Sequence, residues 1–231
     1  MSLYPIDTLK ASNRWNEVCF MGALSFFCVI LFVARVSYSG RIMFHFLNWN
    51  LFLAFVPWAL TTWLTVHTRF QKSKVAVGLV VCLWLLFFPN APYILTDLFH
   101  LTNPYRGNVP LWFDLVMILS FAWTGLLFGF LSLWDIERVL ARFITRKTAI
   151  PMMSVLLLFV SSFGIYLGRF LRWNSWDIFR DPVRLVYDIG DRVAKPHDHP
   201  STWGVTLLLG LFLCILYFSF KLVNNRKTEI L

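Results

Sequence analysis

Residues 75–101 read VAVGLVVCLWLLFFPNAPYILTDLFHL, and the fold turns on this stretch. Its first part, Val75 to Phe88, is unbroken and apolar. As a helix rising 1.5 Å per residue it reaches only about 21 Å, whereas a bilayer core of about 30 Å asks for about 20 apolar residues. Pro89-Asn90-Ala91-Pro92 then interrupts the run. Each proline removes an N–H donor and clashes with the carbonyl four residues back, so the helix breaks or kinks here. The break falls at membrane depth, where freed backbone groups must be satisfied by protein or by a wet cavity. Asn90 is placed to bond such groups. Broken helices of this kind border binding sites in transporters.

The rest of the chain has the same character. Hydrophobic residues make up 58% against 14% charged, with 24 Phe and 11 Trp, more apolar surface than a water-soluble domain of 231 residues can hide. Six segments reach or approach spanning length: about 18–36, 46–66, 75–95, 111–133, 150–170 and 202–222. The predicted fold is an all-α membrane protein, residues 1–231 forming a single transmembrane domain of about six helices, the third broken near Pro89–Pro92. The first run lacks a small-residue cleavage site and reads as an uncleaved helix. The four cysteines, Cys19, Cys28, Cys82 and Cys214, lie within apolar runs and form no CxxC pair, so they act as small hydrophobes.

The net charge of +9 is not gathered on one face with interleaved aromatics, so it points to lipid rather than to nucleic acid. The partners it implies are the bilayer itself and anionic headgroups on the cytoplasmic side. With the N-terminus inside, that side holds Lys10, Arg14, Arg69, Lys72, Lys74, Arg138, Arg142, Arg146, Lys147, Lys221, Arg226 and Lys227, 12 of the 21 Lys and Arg. Opposite stand Arg35, Arg41 and Arg106, with six more at the long fifth connection. The asymmetry predicts both termini in the cytoplasm. Two connections predict short interfacial helices. In WDIERVLARFITRK, Ile136, Val139, Leu140 and Phe143 share a face flanked by Arg138, Arg142, Arg146 and Lys147. In the fifth connection Asp181-Pro182 starts a helix whose Val183, Val186, Ile189 and Val193 pack on the outer face.

Polar residues near the span ends outline a candidate site. After the break, Tyr93, Thr96, Asp97 and His100 fall at i, i+3, i+4 and i+7, a single stripe on an otherwise apolar helix. Asp114 opens the fourth span on the same side. The fifth span ends in GRFLRWNSWD, where Arg169 and Arg172 lie three apart and Asn174 with Asp177 has the shape of a capping pair. The candidate ligand-binding set is therefore Asn90, Tyr93, Asp97, His100, Asp114, Arg169, Arg172, Asn174 and Asp177. Three roles are open to it: ion pairs that only clamp helices, a site for a small polar or anionic solute or a lipid headgroup, and an envelope enzyme's centre with His100 as general base. Elsewhere, His197, Asp198 and His199 in KPHDHP have metal-ligand chemistry, but adjacent residues rarely converge on one ion, and no metal site is assigned. There is no GxxxxGK[ST] loop, HExxH pair or GxSxG elbow. The residues assign no catalytic group and no cofactor.

FPNAPYILTDLFHL, followed by GRFLRWNSWD, resembles the bacterial membrane proteins grouped as domain of unknown function 1361, over about residues 50–195. The resemblance implies a bacterial cell membrane and points to Pro89–His100 and Arg169–Asp177. It transfers no activity.

Overall fold

The computed structural model describes residue 9 and residues 14–102, 108–146 and 148–226. Lys10, Arg106, Lys147 and Lys227, counted above for topology, lie outside them. Among the described residues every regular element is helical. Six helices are long and apolar enough to cross a membrane: Trp15–Ser39, Phe46–Val66, Lys74–Thr102, Leu111–Leu140, Ala149–Phe170 and Pro200–Asn224. This is a multi-pass, all-α membrane protein. The chain divides into two compact units, Met1–Val139 and Leu140–Leu231.

In the first unit α1 (Trp15–Ser39) ends at Gly40, whose left-handed φ of 63° turns the chain while its N–H closes on the Val36 carbonyl. α2 (Phe46–Val66) carries Pro57 without interruption and packs along the whole third span. That span is in pieces, as the prolines predict. α3 (Lys74–Phe87) starts on the Ser73 side chain, which accepts from the Ala76 N–H. It stops before Pro89, and Asn90 Nδ2 donates to the Phe87 carbonyl at 2.9 Å. One turn follows as α4 (Asn90–Tyr93), and then a 3-10 helix, Ile94–Thr102.

The stripe expected of an α-helix is altered by this tighter winding. With three residues per turn, positions i and i+3 eclipse, so Asp97 stands under His100 while Thr96 turns its hydroxyl onto the Tyr93 carbonyl at 2.7 Å. The broken piece fits against α5 (Leu111–Leu140) because two glycines make room. A Cβ on Gly125 would stand 2.8 Å from the Ala91 carbonyl oxygen, and one on Gly129 3.0 Å from the Ala91 Cβ. This is the small-xxx-small spacing that lets helix backbones approach in membranes. α5 is also the most enclosed span, 67% buried against 11% for α1.

α5 corrects one expectation. Among the described residues the fourth connection has no helix of its own, since α5 runs unbroken to Leu140 and ends in a turn over 141–143. No glycine or proline separates Leu133 from Leu140, so the span simply continues. Ile136 and Val139 are buried in the bundle, not laid on a leaflet.

In the second unit α6 (Ala149–Phe170) and α9 (Pro200–Arg226) pack together. Gly210 presses against the Phe159 ring, where a Cβ would collide. Between them lie α7 (Asp177–Arg180) and α8 (Pro182–Ala194). The predicted cap at Asp181 forms, whereas Asn174 does not cap α7, whose N-cap is Trp176 with no side-chain capping bond, and only Asp177 reaches back to the Asn174 N–H. Asp177 Oδ2 accepts the Asn174 N–H at 2.8 Å, and Asp181 Oδ1 accepts the Arg184 N–H at 3.3 Å. The inward face of α8 differs from expectation. Leu185, Asp188, Ile189 and Arg192 turn toward the fold, and Val183, Val186 and Val193 are exposed.

Candidate functional site

The predicted residues fall into two sets, one in each unit. In the first unit Asp97 is almost wholly buried, 1% exposed. Its Oδ2 accepts a hydrogen bond from Asn50 Nδ2 at 2.8 Å, and its Oδ1 lies 4.0 Å from His100 Nε2. His100 sits against the rings of Phe46, 4.7 Å away, and Phe44, 6.4 Å away. Asp114 is bound to Arg35, with Nε to Oδ1 at 2.8 Å and both side chains 0% exposed. The Arg35 guanidinium lies 4.5 Å from the centre of the Phe44 ring, so Phe44 contacts both the Arg35 guanidinium and the His100 ring. Phe44 itself is buried at a left-handed φ of 68°. A side chain bearing a Cβ holds that conformation at a cost of about 1–2 kcal/mol, and such strain gathers at ligand clamps and switches. Asn90 serves the helix break, and Tyr93 is half-buried beside it.

A second charge cluster occupies the other end of α1, and sequence reasoning missed it. Arg14 Nη1 donates to Asp135 Oδ2 at 2.6 Å and to Thr65 Oγ1 at 3.2 Å. Its Nη2 donates to Glu17 and to Thr62 Oγ1. Trp58 Nε1 donates to Glu17 Oε1 at 2.6 Å. Glu137 is buried on the same helix as Asp135. An apolar groove of ≈ 400 Å³ between α1, α2 and α5 carries no charged lining residue.

In the second unit Arg169 is half-buried near the end of α6. Arg172 takes the left-handed position just beyond it, φ 62°, while Leu171 and Trp173 both donate their N–H to the Leu167 carbonyl. Arg172 lines a cavity of ≈ 310 Å³ with Leu171, Trp173, Asp177, Arg180, Asp181 and Arg184. Asn174 joins through its N–H, which donates to Asp177 Oδ2. Among the described residues none of Arg172, Arg180 and Arg184 forms an ion pair, although two aspartates line the same cavity. Those carboxylates hold backbone N–H groups instead. Arg184 lies 5.8 Å from the Trp173 ring centre, and Trp173 Nε1 is anchored on Asp188 at 2.9 Å.

The histidine loop is a tether. His199 Nε2 meets Asp191 Oδ2 at 2.8 Å and Lys195 Nζ meets Asp191 Oδ1 at 2.9 Å. The hydrogen bonds from Lys195 and then His199 hold the Asp191 carboxyl below the usual carboxylate range, and Asp191 raises Lys195 in turn. His197 and Asp198 are exposed, and the described residues hold no metal-binding cluster.

Fold and charge placement together define a helical membrane-spanning protein with ionisable groups buried at its span ends. A family model described as "Protein of unknown function (DUF1361)" matches residues 49–216, and the chain belongs to that family. The matched region holds Asp97, His100, Asp114, Asp135, Arg169 and Arg172. No curated protein and no solved structure matches the chain.

Proposed function

We propose that the protein binds, and moves across or along the membrane, a small anionic solute or a lipid headgroup taken up at the arginine-lined cavity of its second unit. The observation that carries this reading is the convergence of Arg172, Arg180 and Arg184 on one cavity with no ion-pair partner for any of them among the described residues. Guanidinium forks match the oxygens of phosphate and carboxylate. The left-handed backbone at Arg172 supports the reading, because glycine would sit there without strain. In the first unit the buried Asp97, with His100 4.0 Å away, has the make-up of a proton-carrying pair that could accompany the solute. An enzyme acting on a lipid-linked substrate would use that pair as general base and orienter, and turnover by the purified protein would favour that reading.

Binding is read by calorimetric titration of the detergent-purified chain with phosphate, sulfate and small carboxylates. Replacing Arg172, Arg180 and Arg184 together by Gln removes three charge-assisted donors and should weaken binding at least tenfold, about 1.4 kcal/mol. Unchanged affinity in the triple variant would exclude the cavity as the site.

Both termini are assigned to the cytoplasm on the Lys and Arg asymmetry, which puts the cavity at the outer face. In a chain with its four cysteines replaced, a cysteine at Asn108 should react with an impermeant thiol reagent on intact cells and one at Lys72 should not. The reverse labelling would invert the topology.

A further inference from the structure

We propose that the anion taken by this cavity is the phosphate of a membrane lipid, with α7 and α8 forming an interfacial ledge that holds it at headgroup depth. The inference rests on the reading above and narrows it. Its first support is connectivity. The chain leaves one span at Phe170 and enters the next at Pro200, so the intervening segment starts and finishes at the bilayer surface.

Its second support is the face that α8 leaves bare. Val183 is 80% exposed, Val186 68% and Tyr187 70%, and Phe179 of α7 adds a ring 80% exposed. Val183, Val186 and Tyr187 follow helical spacing and make one apolar strip on α8, with Phe179 exposed on α7 before the break at Asp181. The helix is not free to roll the strip inward. Its other face is tied down from outside the helix by Trp173 Nε1 on Asp188 Oδ2 at 2.9 Å and by Trp203 Nε1 on the Arg192 carbonyl at 3.2 Å. An apolar strip held outward at the membrane surface suits acyl chains, as in interfacial helices.

The third support is the juxtaposition of strip and charge. Arg180 and Arg184 flank Val183 in sequence and both line the cavity. A group seated there has guanidinium on one side and an apolar surface beside it, the chemistry of a phosphate ester carrying hydrocarbon tails. Trp173 in the cavity wall and Trp176 beside it are the side chains favoured at headgroup level.

The test compares three probes on the purified full-length chain by native mass spectrometry: short-chain phosphatidylglycerol, the diacylglycerol with the same tails, and water-soluble glycerol phosphate. Phosphatidylglycerol should bind at least tenfold more tightly than either of the others. Val183→Ser with Val186→Ser should weaken phosphatidylglycerol at least threefold and leave glycerol phosphate unaffected. Arg172→Gly removes a guanidinium while relieving the left-handed backbone, so it should fold at least as well as the parent and bind phosphatidylglycerol several-fold more weakly. If glycerol phosphate binds as well as the lipid, and the valine variant changes neither, the lipid inference fails while the anion site stands. If no phosphate-bearing probe binds, both fail. Equal binding of phosphatidylglycerol and diacylglycerol, or a valine variant that converts a dimer to a monomer, would assign the strip to tails alone or to a second copy and overturn the proposal.

Discussion

Arg35→Leu should destabilise the first unit by roughly 3–5 kcal/mol, because it leaves Asp114 charged in a place from which water is excluded. Neither side chain of the pair has any exposed surface. The guanidinium meets Asp114 along one edge, Nε to Oδ1 at 2.8 Å and Nη2 to Oδ2 at 3.5 Å, and covers the Phe44 ring with its face. Leucine replaces the packing but none of the charge. The companion experiment is the double variant Arg35→Leu with Asp114→Leu, which removes both charges together and should recover most of the loss. Thermal unfolding of the detergent-solubilised protein reads both. A single variant as stable as the parent, or a double variant no better than the single, would mean that the pair does not act as a buried couple.

At the other end of α1 the order of effects is the prediction. Arg14 is shared between two carboxylates, Asp135, which is buried with it, and Glu17, which is half-buried. Arg14→Gln strands the buried Asp135 beside a second carboxylate, and should again cost roughly 3–5 kcal/mol. Asp135→Asn leaves Arg14 with Glu17, and Glu17→Gln leaves it with Asp135, so each should cost distinctly less. The same unfolding assay ranks the three. If Asp135→Asn proves the most damaging, the arginine is not the hub.

The features that proved legible in the sequence are those set by neighbouring residues. Pro89 and Pro92 announce the break wherever the helix sits, and Asn90 bonds the Phe87 carbonyl within three positions. The contact of the Asn174 N–H with Asp177 and the cap at Asp181 are equally local. What escaped depends on how helices are rotated and wound. Ile94–Thr102 has residues that suit an α-helix or a 3-10 helix alike, and only the latter stacks Asp97 under His100. Arg14 and Arg35 look like charges that set topology, and their partners lie 121 and 79 residues away. Arg35 still had a signal, since it closes an apolar run instead of following it. Asn50, an amide in the first turns of the second span, had another. For α8, apolar periodicity reveals a strip without saying which way it points, and the ties from Trp173 and Trp203 decide that.

The two long-range ion pairs also bear on how the protein is made. α1 emerges first, with Arg14 before it and Arg35 near its far end, yet both anions that neutralise them across the fold, Asp135 and Asp114, belong to α5. Until the fourth span has been synthesised, α1 crosses the bilayer with a cation at each boundary and without the two carboxylates of α5. Those cations hold it upright by reaching for the two surfaces. Delivery of α5 then supplies both counter-charges in one step. The first helix can be inserted early and docked late, so truncation after the third span should leave a chain that is inserted but not assembled.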